Sequence, residues 1–150
     1  MKHFLTGALT VAATAAAASV PAGWTPVKDA QGACQVAVPR DFKANYPTLP
    51  SLVRSADGKI DVQVVNQPGK AVTPLDGTAQ KVLGVDKVFD NTPQRVFYSN
   101  KPANFAGTEV TSWHVRVPGS HSVCFATITM RAGASEDTAK KIAATIGPAK

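Results

Sequence analysis

Two cysteines, Cys34 and Cys124, are the only thiols in the 150-residue chain. They are too far apart to form the Cys-x-x-Cys pair of thiol oxidoreductases, and too few for a zinc site with four cysteine ligands. In an exported protein, a single pair of cysteines typically forms a structural disulfide. We therefore predict a disulfide between Cys34 and Cys124. By chain entropy, closing a loop of that length stabilises the fold by about 4–5 kcal/mol.

Two histidines, His114 and His121, carry the other side chains suited to catalysis or metal binding. The pattern places His114 within a strand and His121 at the following turn, so we do not expect one tetrahedral metal ion to bind both. Ser120 and Ser122 flank His121, but sequence neighbours on a turn rarely face each other as nucleophile and base do, and no Gly-x-Ser-x-Gly motif is present. Glycine-rich phosphate loops are also missing from the sequence. We predict no catalytic residue, no cofactor and no metal site.

A candidate binding surface is formed by His114, Arg116 and Phe125. His114 and Arg116 alternate along one predicted strand, and Phe125 lies on the same face of the next strand. Such a surface suits contact with a partner protein or with an anionic component of the cell envelope. The neighbouring Trp113 points to the opposite face, which predicts a core position. The simpler interpretation of His114 and Arg116 is a solvated strand face.

The beginning of the chain has the pattern of a secretory signal peptide. A short positive segment, residues 1–3, precedes residues 4–20, which carry no charge and are rich in alanine and threonine. No cluster of lysine or arginine follows to stop transfer across a membrane. We predict that residues 1–22 are a signal peptide cleaved after Ala22, or else after Ala18, and that the protein is periplasmic or secreted.

The remaining residues, 23–150, have the composition of one ordinary globular domain. Hydrophobic residues make up 44% and charged residues 17% of the chain, which excludes a disordered protein. The formal net charge is +6, but the positive residues are scattered and are not interleaved with aromatic residues, so we expect no binding to nucleic acid. No second apolar run is long enough for stable membrane insertion. We expect a monomer.

The clearest structural pattern is a long hairpin between Glu109 and Arg131. A turn at residues 118–121 would place Val115 opposite Cys124 and bring two rows of apolar side chains to the same side of the hairpin. The opposite side also carries apolar residues, which predicts that a second element covers it, and we expect a helix there. The two rows on the first side are Trp113, Val115 and Val117, and Cys124, Ala126, Ile128 and Met130.

Other segments predict a mixed α and β domain. Alternating residues indicate strands at 24–27, 34–38, 52–54, 60–64 and 95–98. Helical spacing runs from Asp76 to about Phe89, but Gly84 interrupts it, so the helix either stops there or is weak. A second helix begins after Ser135, buries a stripe of small and apolar residues, and ends before Gly147. The expected fold is α+β: a central antiparallel sheet with two helices packed on it, similar to an α/β/α sandwich, and one disulfide.

The order of these segments resembles the PsbP-like domains of photosystem II. Residues 34–42 (CQVAVPRDF) form an apolar strand that ends in a proline and a short turn toward an aromatic residue. The Ser55–Gly58 turn before the next strand is similar, as is the ending of a long hairpin followed by a helix. The resemblance extends over about residues 24–147. It implies an α/β/α sandwich around an antiparallel sheet that usually acts as a non-catalytic accessory or docking module, and it carries over no functional residue.

The sequence as a whole favours an exported, non-enzymatic accessory or binding protein of the cell envelope. Two alternatives stay open. One is a small secreted hydrolase that uses His114 or His121, because those side chains are available. The other is a protein that binds a small apolar ligand between the sheet and a helix.

Overall fold

The computed structural model describes residues 19–69 and 71–150. The predicted signal peptide falls almost entirely on residues 1–18, outside this part of the chain. The described elements are β1 (Trp24–Lys28), β2 (Cys34–Pro39), β3 (Lys43–Ala44), β4 (Leu52–Arg54), β5 (Ile60–Gln67), α1 (Gly77–Val82), β6 (Val85–Thr92), β7 (Arg95–Asn100), β8 (Ala103–Phe105), β9 (Thr108–Pro118), β10 (Val123–Arg131), α2 (Glu136–Ala143) and β11 (Gly147–Pro148).

Most of the described chain is antiparallel β-sheet. The large sheet has the strand order β3-β4-β5-β10-β9-β7-β6, and β8 pairs with the end of β9. A small sheet has the order β1-β2-β11. The predicted α+β fold with an antiparallel sheet and two helices is therefore confirmed, but the protein is more β-rich than an α/β/α sandwich. Neither helix in the described ranges is long and apolar enough to cross a membrane.

The long hairpin is formed by β9 and β10, with a register that differs from the prediction. Cys124 lies opposite Val117, not opposite Val115. The prediction was wrong because the connection consists of residues 119–122 instead of 118–121. The resulting shift is two residues, and side chains alternate with a period of two, so both apolar rows stay on the predicted side of the sheet.

The main core lies between one face of the large sheet and a layer made of the small sheet and α2. The predicted disulfide is present here. It joins Cys34 of β2 to Cys124 of β10, and both cysteines are fully buried. The two strands belong to different sheets, so the disulfide connects the two layers instead of neighbouring strands of one sheet.

The C-terminal helix α2 follows its sequence signals closely. The Ser135 hydroxyl accepts a hydrogen bond from the Thr138 N–H, and acidic residues occupy the first turn. Ala139, Ile142 and Ala143 are buried against the sheet, as the stripe of small and apolar residues predicts. The helix then ends, and the chain continues into β11, which pairs with β2.

The helical pattern from Asp76 to about Phe89 forms a helix only up to Gly84, which is the first of the two outcomes predicted for that glycine. The helix α1 is capped by the Asp76 carboxylate, which accepts from the Ala79 N–H, but it ends at Val82. Gly84 has a positive φ of 64°, which turns the chain out of the helix. Residues 85–92 then pair with β7 as strand β6, because the edge of the sheet offers their backbone groups hydrogen-bond partners.

The second face of the large sheet is only partly covered. Val72 and Leu75, in the extended segment before α1, pack on Val96, Tyr98 and Val123 of the sheet. Ala79 of α1 and Leu83, which directly follows the helix, also pack against this smaller core. The expected covering element is thus mainly an extended segment, with a short helix at its end, and the rest of this face stays partly exposed.

Candidate functional site

The three residues of the predicted binding surface lie together on the second face of the large sheet. His114 and Arg116 project from β9, and Phe125 projects from β10, directly opposite Arg116. His114 lies opposite Thr127, not opposite Phe125 as the predicted register implies. All of these side chains are partly buried. With Tyr98 of β7, which pairs with His114, these residues form what we call the open-face cluster: Tyr98, His114, Arg116, Phe125 and Thr127.

Three rings of the open-face cluster form a continuous stack across three strands. The His114 and Phe125 rings are parallel within 1°, with centroids 5.8 Å apart. The Tyr98 ring is tilted by 29° to that of His114, at a centroid distance of 5.0 Å. Thr127 Oγ1 lies 3.4 Å from His114 Nδ1 and limits the rotation of the imidazole. Tyr98 is 3% exposed under Val72 and Leu75, so it supports the stack from below, and the His114 and Phe125 rings form its accessible part. These two rings give the open part of this face a flat, rigid floor of a kind that suits recognition, because few side-chain torsions remain to be ordered on binding.

Arg116 lies at one end of this floor. Its guanidinium carbon is 5.3 Å from the centroid of the Phe125 ring, a cation–π contact. The Nε of Arg116 is buried and has no hydrogen-bond partner within residues 19–69 and 71–150. In the same residues, no carboxylate lies within 4.0 Å of its guanidinium nitrogens. The cation is therefore held in place by an aromatic ring, with its own hydrogen-bonding capacity partly unused.

A nearby arginine pair on the same face shows the contrast. Arg54 Nε donates to Asp61 at 2.6 Å, and Arg131 Nη2 donates to the other oxygen of the same carboxylate at 2.9 Å. Burial alone would raise the pKa of Asp61, but the hydrogen bonds and charges of the two arginines outweigh it and lower the pKa. Arg54 and Arg131 are thus neutralised by a shared carboxylate, whereas Arg116 is not.

Arg116 is the one charged side chain of the open-face cluster at neutral pH, because His114 and Tyr98 are both neutral. Burial lowers the pKa of His114, and the positive charge of Arg116 lowers it further. Burial raises the pKa of Tyr98, with Arg116 opposing this shift. At neutral pH the imidazole is therefore uncharged and the phenol protonated. The cluster presents one cation beside two neutral rings, those of His114 and Phe125, since Tyr98 is buried.

The lowered pKa of His114 predicts a pH dependence of stability. The unfolded chain, with an ordinary histidine pKa of about 6.5, binds this proton more readily than the folded chain does. We therefore expect the free energy of unfolding to fall as the pH drops from 7.5 to 5, and to fall less in His114→Gln. Urea unfolding at the two pH values measures the difference between the slopes. His121→Gln, at an exposed position, is the matched control and should keep the wild-type slope. Equal slopes in all three proteins would contradict the prediction.

The structure does not bring the histidines into a catalytic or metal-binding arrangement. His121 is exposed on the 119–122 connection, away from the position of His114 on β9. In the described part of the chain, no hydrogen bond joins either histidine to a serine or a carboxylate, and the one polar side-chain contact of the His114 ring is to Thr127. The same residues contain no group of three or more His, Cys, Asp or Glu side chains that could hold a metal ion.

Sequence reasoning missed two members of the open-face cluster, Tyr98 and Thr127. Tyr98 lies in a segment predicted as a strand, residues 95–98. What the sequence did not show is that this strand pairs with β9, and only that pairing puts Tyr98 beside His114. Trp113 is 4% exposed in the main core, as predicted from its row.

Comparisons with known proteins identify no family. No protein-family model matches the chain, and no curated protein sequence matches it. A crystal structure of a protein from Bacteroides thetaiotaomicron VPI-5482 aligns with a TM-score of 0.43 and 16% sequence identity. The alignment covers 89% of this chain but 44% of that one, so the chain spans less than half of the length of its structural neighbour. This similarity is too low to support an argument about fold or function.

Proposed function

We propose that the protein is an exported, non-enzymatic accessory protein of the cell envelope that binds an acidic segment of a partner protein through the open-face cluster. The observation that carries this proposal is the state of Arg116. Its Nε is buried without a hydrogen-bond partner in the described part of the chain, while its guanidinium is stacked on Phe125.

The energetics of Arg116 favour an external acceptor. The terminal Nη groups of Arg116 have no hydrogen-bond or ion-pair partner in the described residues and, unlike Nε, they are not closed to solvent, so they can donate to an external acceptor. A carboxylate fits best, because it can accept two parallel hydrogen bonds from a guanidinium. The Phe125 ring fixes the plane of the guanidinium in advance, which lowers the entropic cost of forming those bonds.

The surroundings of Arg116 favour a protein segment over a simple anion. Val65 of β5 lies directly opposite Phe125, and Leu52 of β4 lies further along the same face; both are partly buried. An apolar or aromatic side chain next to the carboxylate can pack on this floor. Centres of protein interfaces are enriched in arginine and aromatic residues arranged in this way. The positive net charge of the chain would speed the approach of an acidic partner.

Two further observations support an exported accessory role. The Cys34–Cys124 disulfide is compatible with an oxidising compartment outside the cytoplasm. The proposed similarity to PsbP-like domains, which usually act as accessory or docking modules, rests on the order of segments in the sequence. Export and that kinship are both part of the proposal.

The test is capture of envelope proteins on the immobilised, oxidised protein, followed by titration of the captured partner. Arg116→Gln should weaken binding by about 10- to 100-fold, as expected for loss of a central arginine at an interface. Arg116→Lys keeps the charge but loses the planar fork, and should also weaken binding. Arg40→Gln removes an exposed arginine outside the open-face cluster and should bind as the wild type does.

Two outcomes would count against the proposed function. One is the capture of no specific partner by the wild-type protein. The other is a partner whose affinity falls equally in Arg116→Gln and Arg40→Gln, because that would indicate a general charge attraction instead of a defined contact.

A further inference from the structure

A cavity of about 470 Å³ lies on the other face of the large sheet from the open-face cluster. It opens between the first two turns of α2 and the ends of strands β6, β7, β9 and β10. Its volume is at the lower end of the range for sites that bind small molecules. None of the residues of the open-face cluster lines the cavity, so binding of a ligand there would be independent of the proposed function.

The wall and floor of the cavity are aromatic and apolar. Trp113 and Met130 form a buried floor. Phe89 forms a wall, with its ring centroid 5.2 Å from that of Trp113, and yet it is 41% exposed. A large aromatic side chain that is supported from behind and exposed toward a cavity offers a surface for an apolar or aromatic group.

A hydroxyl also faces this cavity. Ser99 lies directly opposite Trp113 in the β7–β9 pairing, so its side chain is on the cavity side of the sheet. Within residues 19–69 and 71–150 its hydroxyl takes part in no side-chain hydrogen bond, and it is not one of the solvent-inaccessible polar atoms that lack a partner. The hydroxyl is therefore open to the cavity and free to donate to or accept from a polar group of a ligand.

The rim of the cavity carries exposed charges of both signs. Asp86 of β6, Glu109 of β9 and Glu136 of α2 supply carboxylates, and Lys87 of β6 and Lys140 of α2 supply ammonium groups. None of these five takes part in an ion pair in the described part of the chain. One apolar floor is thus surrounded by free charges of opposite sign.

We infer that the cavity binds a small zwitterion with an aromatic or apolar side group, of the size and chemistry of an amino acid. The side group packs on Phe89 over the Trp113 floor, the ammonium group lies toward Glu109, and the carboxylate lies toward Lys140. The Ser99 hydroxyl hydrogen-bonds the polar part of the ligand. The ligand carries both an ammonium group and a carboxylate because the rim of the cavity presents both carboxylates and ammonium groups.

The test uses four probes that share one phenyl group and differ in charge. They are L-phenylalanine (zwitterion), phenethylamine (cation), 3-phenylpropanoate (anion) and 2-phenylethanol (neutral). Isothermal titration calorimetry measures each affinity, and the indole N–H signal of Trp113 in NMR spectra reports binding in the cavity. L-phenylalanine should bind saturably and about fivefold tighter than either singly charged probe, since an exposed ion pair contributes up to about 1 kcal/mol. 2-Phenylethanol should bind weakest.

Variants of the rim assign the two charges separately. Glu109→Gln should weaken L-phenylalanine and phenethylamine but leave 3-phenylpropanoate unchanged. Lys140→Gln should weaken L-phenylalanine and 3-phenylpropanoate but leave phenethylamine unchanged. Lys141→Gln is the matched control: Lys141 is exposed next to Lys140 on α2 and does not line the cavity, so no affinity should change.

Three results would overturn the inference. L-phenylalanine could give no saturable binding at millimolar concentration, 2-phenylethanol could bind as tightly as L-phenylalanine, or Lys141→Gln could weaken binding as much as Lys140→Gln. The Arg116→Gln variant separates this site from the open-face cluster, because it should leave L-phenylalanine binding unchanged even if it abolishes partner binding.

Discussion

Replacing both cysteines, in the double variant Cys34→Ala/Cys124→Ala, is expected to lower the free energy of unfolding by about 4–5 kcal/mol. The two cysteines are 90 residues apart in sequence, so the crosslink removes much of the conformational freedom of the unfolded chain. It also holds the small sheet against the large one, at a point where both side chains are fully buried. Typical domains have a total stability of about 5–15 kcal/mol, so this loss is a large fraction of it.

Urea unfolding of the oxidised wild type, the reduced wild type and the double variant measures this effect and its origin. The reduced wild type keeps both sulfur atoms in the core, so it should lose only the contribution of the crosslink. The double variant should be somewhat less stable than the reduced wild type, because it also loses the packing of the two sulfurs. A loss below about 1 kcal/mol on reduction would show that the two layers are held by packing alone.

Truncation of Ile142 to alanine is expected to cost about 3 kcal/mol, within the usual range of about 2–5 kcal/mol for a fully buried isoleucine. Ile142 is 0% exposed and belongs to the main core under α2. The substitution removes apolar contacts and leaves a cavity between the helix and the sheet, which are too rigid to close over it completely.

Two further variants make this prediction specific. Ile142→Val should cost about 0.5–1.5 kcal/mol, because it removes only one methylene group. Val82→Ala changes a residue of α1 that is 81% exposed, and it should change stability by less than about 0.5 kcal/mol. The midpoint of urea unfolding should shift in this order at constant m value. If Val82→Ala cost as much as Ile142→Ala, α2 would not be the helix that closes the main core.

The sequence predicted correctly those elements for which the hydrophobic pattern and the residues at the two ends indicate the same type of structure. The helix α2 is an example, because the Ser135 cap, the acidic first turn and the buried stripe all indicate the same helix. The hairpin of β9 and β10 is another, since its two apolar rows define the faces whatever the turn. Its register was wrong by two residues because a turn can move by one position in each strand without changing either face.

Long-range pairing decided what local signals could not. Residues 85–92 continue an approximate helical spacing, yet they form β6, because the edge of β7 satisfies their backbone groups and Gly84 breaks the helix. In the same way, the sequence predicts a strand at residues 95–98, but the neighbour of that strand depends on contacts distant in sequence. The membership of Tyr98 in the open-face cluster follows from that neighbour.

The residue types alone determined that the two cysteines form a covalent pair, that the domain mixes sheet and helix, and that His114, Arg116 and Phe125 share a face. These conclusions depend only on redox chemistry and on the period of side-chain alternation, which are local properties. Tertiary structure decided that the disulfide joins two sheets, that Arg116 is stacked without a carboxylate partner in the described chain, and that Ser99 and Phe89 meet at a cavity beside α2. Those features arise where segments far apart in sequence pack together, and the energy of such packing belongs to the assembled layers rather than to any one segment.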